Sequence, residues 1–281
     1  MIRLRFRGAA LALVAALWLA LPAAADFTES PNAEEGQQLV EQGQWEPARA
    51  VLEAAVRRAP EDSAVLYWLA RCCEQMADYD RASELLGRLQ SLPAYRSRPS
   101  GPVEQMARSL RERLAVAQRL LDQARANMVQ LALRPKAANL LSGAALLVPR
   151  LWEVWLERGR LAALTGSHDD AANHYRQAIA LRGDRPELHG YLALSLFHSG
   201  PSVPDVLDKV FDEAQRAVEL RGGDPRSSAD DGTDFDLMGV ARYNQGRYRE
   251  AAELFRKAAE LAPAVGLHRQ HQELAERRAG R

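Results

Sequence analysis

The sequence contains little cysteine and little lysine. Among 281 residues the cysteines are Cys72 and Cys73, which are adjacent. Neighbouring side chains on a helix point about 100° apart, so a bond between these two would be strained. We predict a buried, unreactive pair; a thiol that pairs with a partner protein is the alternative. The lysines are Lys136, Lys209 and Lys257, and the arginines are scattered along helical segments. This distribution predicts solvated helix faces and no nucleic-acid surface.

The first 25 residues have the pattern of a bacterial export signal. Three arginines precede an apolar run from Ala9 to Leu21, and small residues follow at positions 23 to 25. This pattern predicts cleavage before Asp26 and a periplasmic or secreted product without a transmembrane segment; an uncleaved anchor is the alternative. The signal holds no acidic residue, so residues 26–281 carry a formal net charge of −3.

Common catalytic motifs are also missing from the sequence. It has no nucleotide-binding glycine loop, no nucleophile elbow and no His-Glu-x-x-His motif. Four aspartates surround Gly232, namely Asp230, Asp231, Asp234 and Asp236. Their spacing does not fit an EF-hand. We predict a solvated loop in which Thr233 or Asp234 caps the next helix, with weak calcium binding as the alternative.

The segment GSHDDAANHYRQA, residues 166–178, places two histidines and two aspartates close together. His168 and His174 are six residues apart, which is about 240° around a helix, so they cannot face one ion together. Only Asp170 and His174 share a face, and a zinc site requires three or four ligands. We therefore expect no metal and no cofactor. Asp170 and His174 either form a pH-sensitive pair or meet solvent.

What the sequence does contain is a repeated pattern. The segments from Gly43 and Gly246 share an aromatic residue two positions after the glycine, alanines at five and twelve, and proline at seventeen. The segment from Ala77 keeps the aromatic residue and the first alanine. In four segments a small residue lies 12 positions before that alanine: Gly36, Ala70, Gly159 and Gly239. A small residue at a helix crossing lets two backbones approach closely.

This pattern resembles the tetratricopeptide repeat, a 34-residue pair of antiparallel helices. In the register of that repeat, His168 occupies the position of Trp45, Tyr79 and Tyr248, which indicates an ordinary packing role. The resemblance implies an all-α, right-handed superhelical solenoid of about six units. The units start near residues 29, 63, 118, 152, 186 and 232; the third is degenerate, and the fifth carries extra residues around 201–208.

Two further segments complete the predicted organisation. Residues 94–102 are rich in Pro, Ser and Gly and predict a loop. Apolar positions from Val103 to Met128 recur at helical spacing and predict one long helix of roughly 28 residues; two helices with a soft break between them are the alternative. The predicted divisions are a signal peptide (1–25), units 1 and 2 (26–93), the loop and long inserted helix (94–117), units 3 to 6 (118–263), and a capping helix (264–281, about Val265 to Arg278).

In tetratricopeptide arrays the first helices of the units line a concave groove that binds a peptide or a partner helix. By resemblance, the groove positions here are Gln37, Glu41, Tyr67, Arg71, Glu74, Gln75, Asp122, Gln130, Arg160, Phe197, His198, Asp236, Tyr243 and Asn244. This polar set with scattered aromatics suits hydrogen bonding to a peptide. We expect alanine at Tyr67 and Arg71 to weaken partner capture and to leave the melting temperature nearly unchanged.

The resemblance implies a non-catalytic scaffold or adaptor for a protein or peptide partner in the bacterial envelope. The groove positions include no lysine and one asparagine, Asn244, which argues against the clamp for acidic chaperone tails found in some cytosolic relatives. Two alternatives stay open. One is an enzyme, such as a hydrolase with an unrecognised site on the solenoid, and the other is a self-assembling structural protein.

Overall fold

The computed structural model describes residues 30–200, 202–222 and 232–280, and within these ranges it contains helices and no strand. The predicted signal peptide, Asp230 and Asp231 lie outside them. The helices are α1 Glu34–Glu41, α2 Trp45–Arg58, α3 Ser63–Gln75, α4 Tyr79–Ser91, α5 Pro93–Ser97, α6 Gly101–Met128, α7 Arg134–Leu147, α8 Trp152–Leu164, α9 His168–Leu181, α10 Pro186–Ser199, α11 Pro204–Leu220, α12 Thr233–Asn244, α13 Tyr248–Leu261 and α14 Gly266–Ala279. The all-α prediction is confirmed.

The chain divides into two compact units, one ending at Leu114 and one beginning at Ala115. In the first unit, α1 to α5 and the start of α6 share a core that includes Leu52, Leu66 and Leu85. In the second unit, the core of α8 to α12 includes Tyr175, Leu188 and Leu192. Each unit therefore buries the apolar stripes of several consecutive helices.

Four helix pairs are joined by turns of the same geometry. The turns are residues 42–44, 76–78, 165–167 and 245–247. The middle residue of each turn has a positive φ angle: Gly43, Ala77, Gly166 and Gly246. In one of them Ser167 N–H donates to the Ala162 carbonyl at 2.9 Å, and the other turns contain the equivalent bond. This is the Schellman ending of a helix, which favours glycine at the left-handed position.

The small residues of the repeat lie where the two helices of a pair touch, as the sequence predicts. A β-carbon on Gly159 would lie 2.7 Å from Cδ1 of Tyr175, and one on Gly239 would lie 2.6 Å from Cε1 of Phe255. Contact this close is possible only without a side chain. The α8–α9 and α12–α13 crossings therefore depend on glycine.

The long inserted helix is confirmed, because α6 runs without interruption from Gly101 to Met128, 28 residues. The prediction that residues 94–102 form only a loop is wrong. Pro93 begins the short helix α5, and proline suits the first helical position because its φ angle is already helical. Tyr95 of α5 is buried, and its hydroxyl lies 3.0 Å from Glu104 Oε1 of α6.

The prediction that Thr233 or Asp234 caps α12 is also wrong. The residue before α12 is Gly232, at φ 77°, and no side chain caps the helix. A β-carbon on Gly232 would lie 2.6 Å from the carbonyl oxygen of Ala258, so the backbone passes close to α13 at this point. Asp234 is 3% exposed and accepts a hydrogen bond from Arg221. It is an internal partner of α11 instead of a solvated cap.

The remaining expectations for the fold concern the cysteines and the C-terminal helix. Cys72 and Cys73 are buried and free, and burial raises the pKa of Cys72 to about 11 and that of Cys73 to about 12. The prediction that the two cysteines are buried is confirmed. The C-terminal helix α14 is present within one residue of the prediction and buries Ala275. No helix in the described ranges is long and apolar enough to cross a membrane.

Candidate partner-binding surface

In the first unit, the predicted groove residues lie on α1 and α3. Gln37 donates from Nε2 to Glu41 Oε1 at 2.9 Å, one turn further along α1. On α3, Gln75 is exposed and Glu74 is half-buried. Burial raises the pKa of Glu74, although the charges of Arg71 and Arg113 act in the opposite direction. These side chains form a polar surface whose charges are partly compensated within the unit.

Tyr67 contributes less surface than the sequence suggests. Its side chain is buried, with 5% of the residue exposed, and its ring packs edge-on against Trp68 at 5.3 Å between centroids. Its hydroxyl accepts a hydrogen bond from Arg71 Nη1 at 3.0 Å. Because truncating a buried aromatic residue costs about 3–5 kcal/mol of stability, the expectation that alanine at Tyr67 leaves the melting temperature unchanged is wrong.

In the second unit, Asp122 of α6 and Arg160 of α8 are connected through two residues that the sequence analysis did not single out. Arg125 Nη1 lies 3.1 Å from Asp122 Oδ1, and Arg125 Nε lies 2.7 Å from Glu157 Oε1. Arg160 Nη1 lies 3.4 Å from the same Glu157 oxygen. We call these four residues the α6–α8 charge network.

Glu157 holds the α6–α8 charge network together. Its side chain is 1% exposed, and two arginines compensate its charge. A buried carboxylate without such partners would be strongly destabilising. The sequence signal that could have found it is an acidic residue two positions before Gly159, the contact residue of the repeat. The network joins Asp122 and Arg160, which are two of the predicted groove positions in this unit. Gln130, another predicted position, is not one of its four residues.

On α10, the predicted residues Phe197 and His198 form an aromatic group with His168 of α9. The rings of His168 and His198 stack with centroids 4.7 Å apart, and Phe197 meets His198 edge-on at 5.7 Å. Burial, and to a lesser extent the neighbouring His168, lowers the pKa of His198. The packing role predicted for His168 from the repeat register is confirmed.

At the last repeat, the predicted residues lie on α12. The rings of Tyr243 and Tyr248 meet edge-on at 5.1 Å, and Asn244 is exposed at the end of the helix. Asp236 is half-buried and lies 2.9 Å from the Nδ1 atoms of both His268 and His271 on α14. Asp236 therefore connects the last repeat to the C-terminal helix. Little of the Asp236 side chain is left for contact with a partner.

The described residues contain acid–base groups but no arrangement of them that fits a metal site. In the described ranges there is no group of three or more His, Cys, Asp or Glu side chains arranged to hold a metal ion. A cavity of about 430 Å³ in the second unit is lined by Asp170 and His174, both from α9. His174 is half-buried 5.9 Å from the Trp155 ring, and burial lowers its pKa. It neither ion-pairs with Asp170 nor stands free in solvent.

Comparison with known proteins supports the repeat register. A profile of the tetratricopeptide repeat matches residues 39–92, and a second one matches residues 235–265. The chain carries tetratricopeptide repeats. Its all-α architecture of consecutive helix pairs is that of a tetratricopeptide-type solenoid, and repeats of this kind indicate a protein–protein interaction scaffold. A search of curated proteins found no match.

Several solved structures have low-level similarity to this tetratricopeptide-repeat protein. The Arabidopsis OM64 TPR domain is 21% identical, with 45% of this chain and 94% of that chain covered and a TM-score of 0.39. MamA is 14% identical, with 82% of this chain and 89% of that chain covered and a TM-score of 0.34. The structure of the APC/C hetero-tetramer Cut9-Hcn1 is 13% identical, with 85% of this chain and 41% of that chain covered and a TM-score of 0.48.

Proposed function

We propose that this protein is a non-catalytic scaffold or adaptor of the bacterial envelope, and that it binds a peptide or partner helix on the first-helix faces of its repeats. The observation that supports this proposal most is the α6–α8 charge network. It contains exposed charges of both signs, with 60% of the Asp122 side chain and 48% of the Arg160 side chain accessible.

The α6–α8 charge network is suited to binding because it is already ordered. Arg125 is fixed by Asp122 on its own helix and by buried Glu157 on α8. A partner that meets this surface immobilises few additional side chains, and each immobilised side chain would cost about 0.5–1.5 kcal/mol. Asp122 can accept hydrogen bonds from main-chain N–H groups or basic residues of the partner, and Arg160 can donate to carbonyl or carboxylate oxygens.

Two variants test this role without removing a buried group. Arg160→Ala leaves the 2.7 Å contact between Arg125 and Glu157 in place, so the buried carboxylate keeps a partner. We expect Arg160→Ala to weaken partner binding about fivefold or more, in the range measured for charge-assisted contacts at an interface. Arg176→Ala is the matched control, because Arg176 is exposed on the second helix α9 and donates to Asn173 of the same helix. Equal losses in both variants would contradict the proposal.

The envelope location is a separate part of the proposal and has its own test. The pattern in residues 1–25 supports export and cleavage before Asp26. We expect intact-mass analysis of the protein recovered from the periplasm or medium of a bacterial host to give a chain that begins at Asp26. Accumulation in the cytoplasm of a chain that retains residues 1–25 would contradict this location.

A further inference from the structure

The second unit contains a cavity that the proposed partner surface does not use. It has a volume of about 430 Å³ and is formed by α7, α8 and α9. Arg158 of α8 lines this cavity, whereas Arg160 belongs to the α6–α8 charge network. Residues two positions apart on a helix point about 200° apart, so the cavity and the network occupy different sides of α8.

The cavity combines an apolar wall with two positive charges. Ala138 and Leu161 supply accessible apolar surface, together with Pro135 of α7 and Ala162 of α8. Arg134 and Arg158 supply guanidinium groups from α7 and α8. A cavity of this composition suits a ligand that has an apolar body and a polar end, since apolar area provides affinity and the few charged groups determine orientation.

The two guanidinium groups are held by neutral partners. Arg134 donates from Nη1 to the Leu164 carbonyl at 2.6 Å and from Nε to the Met128 carbonyl at 3.4 Å. Arg158 donates from Nη2 to Ser142 Oγ at 3.4 Å. Its guanidinium also lies 5.1 Å from the centre of the Trp155 ring.

Within the described part of the chain, neither positive charge is compensated by an ion pair. Over the residues that the structure describes, no carboxylate lies within 4.0 Å of a nitrogen of Arg134 or Arg158. Both side chains are therefore positioned by contacts that leave their charge available.

The remaining titratable groups of the cavity define the charge of the ligand. Asp170 lines the cavity with a carboxylate, and burial, followed by the charge of Arg158, lowers the pKa of His174 and favours its neutral form. Two arginines and one aspartate leave a single positive charge. A monoanion balances this charge, whereas a phosphate dianion would leave a negative excess beside Asp170.

We propose that this cavity binds an organic monocarboxylate whose carboxylate meets Arg134 and Arg158 and whose apolar body packs on Ala138 and Leu161. Two sources share this chemistry, a free aliphatic acid and the C-terminal residue of a peptide. This site goes beyond the scaffold function and does not depend on it, because the α6–α8 charge network lies on a different side of α8.

Titration calorimetry with matched pairs of compounds tests the proposal and distinguishes the two sources. Octanoate and octanol differ in the carboxylate, as do acetyl-Ala-Ala-Leu and its C-terminal amide. We expect at least one acid to bind about tenfold or more tightly than its neutral counterpart, as for a lost charge-assisted hydrogen bond. Preference for octanoate assigns a free acid, and preference for the peptide acid assigns a C-terminus. Neutral compounds that bind as tightly as both acids, or no binding by either acid, overturn the proposal.

Two variants with opposite expected effects locate the binding in this cavity. We expect Arg158→Met to weaken binding of the preferred acid about tenfold, because methionine keeps the packing on Trp155 and removes the charge. We expect Asp170→Asn to strengthen binding about two- to fivefold by removing a like charge. Arg176→Met on α9 is the control and leaves the affinity unchanged. Unchanged affinity in both Arg158→Met and Asp170→Asn overturns the assignment, and Asp170→Asn decides it if Arg158→Met does not fold.

Discussion

Gly159 of α8 lies directly against the ring of Tyr175 of α9. Phe255 packs in the same way on Gly239, and Leu52 packs on Gly36. At the crossing of α3 and α4, the small residue is Ala70. Glycine at these positions lets the two helices of a pair approach closely enough for a large side chain of one to rest on the backbone of the other.

This contact predicts a large coupling between the two positions. Gly159→Ala forces the Tyr175 ring to move, and we expect it to lower the free energy of unfolding by about 1–3 kcal/mol, as for other overpacked cores. In the double variant Gly159→Ala, Tyr175→Leu, the crossing has the composition of Ala70 and Leu86, both of which are buried. Urea unfolding of the two single variants and the double variant measures the coupling. If the losses in free energy of unfolding are additive, the contact between residues 159 and 175 does not determine how closely α8 and α9 pack.

The left-handed turns predict a stabilising substitution. Ala77 has φ 57° at a position where the other turns have glycine. The left-handed region costs a residue with a β-carbon about 1–2 kcal/mol. We therefore expect Ala77→Gly to raise the free energy of unfolding by about 1 kcal/mol. Gly166→Ala is the converse control. A β-carbon there meets no atom within 4 Å, so its loss of stability reports the backbone conformation alone. A neutral or destabilising Ala77→Gly contradicts this account.

His189 predicts a specific dependence of stability on pH. Its Nδ1 atom lies 2.7 Å from Glu213 Oε2, and this hydrogen bond raises the pKa of His189 above its usual value of 6.5, although burial opposes it. The protonated pair stabilises the contact between α10 and α11. Because the folded pKa is raised, this contribution is complete below the unfolded pKa and is lost as the pH rises through the folded pKa.

NMR titration of His189 measures that pKa directly. Urea unfolding of wild type and His189→Gln at about pH 5.5 and 8.5 measures the linked stability, and we expect the difference between the two proteins to be larger at the lower pH. A pKa at or below 6.5, with a difference in stability that does not change with pH, would contradict the role of Glu213.

The adjacent cysteines predict slow alkylation. Cys72 and Cys73 are buried, and their pKa values are raised to about 11 and about 12, so the reactive thiolate is scarce at pH 8. We expect iodoacetamide to modify the denatured chain within minutes and the folded chain orders of magnitude more slowly. Equal rates in the two states would show that this part of α3 opens readily.

The repeat period predicts the structural role of some residues and not of others. Gly159 could be assigned because it follows from a local rule, the close approach of two helices at a small residue. Asp234 and Glu157 could not, because each forms an ion pair with an arginine more distant in the sequence than one helical turn, Arg221 and Arg125 respectively. Local polarity predicts solvent exposure for such residues, and tertiary pairing overrides it.

The predicted binding surface shows the same limit. The repeat register identifies the residues of the first helices, and it assigned Tyr67 to the groove. Register alone does not distinguish a ring at the surface from one that continues inward and becomes part of the core, as Tyr67 does. The Asp122 and Arg160 side chains are accessible, whereas Glu157, the partner of Arg160, is buried.

Photo-crosslinking in the native envelope tests the central claim most directly. A photoreactive residue placed at position 122, on the first-helix face of α6, is compared with one at position 176, on the second helix α9. The scaffold proposal predicts a discrete cross-linked partner from position 122, no such product from position 176, and a product that weakens when Arg160→Ala is added. Equal cross-linking from both positions, unaffected by Arg160→Ala, would contradict it.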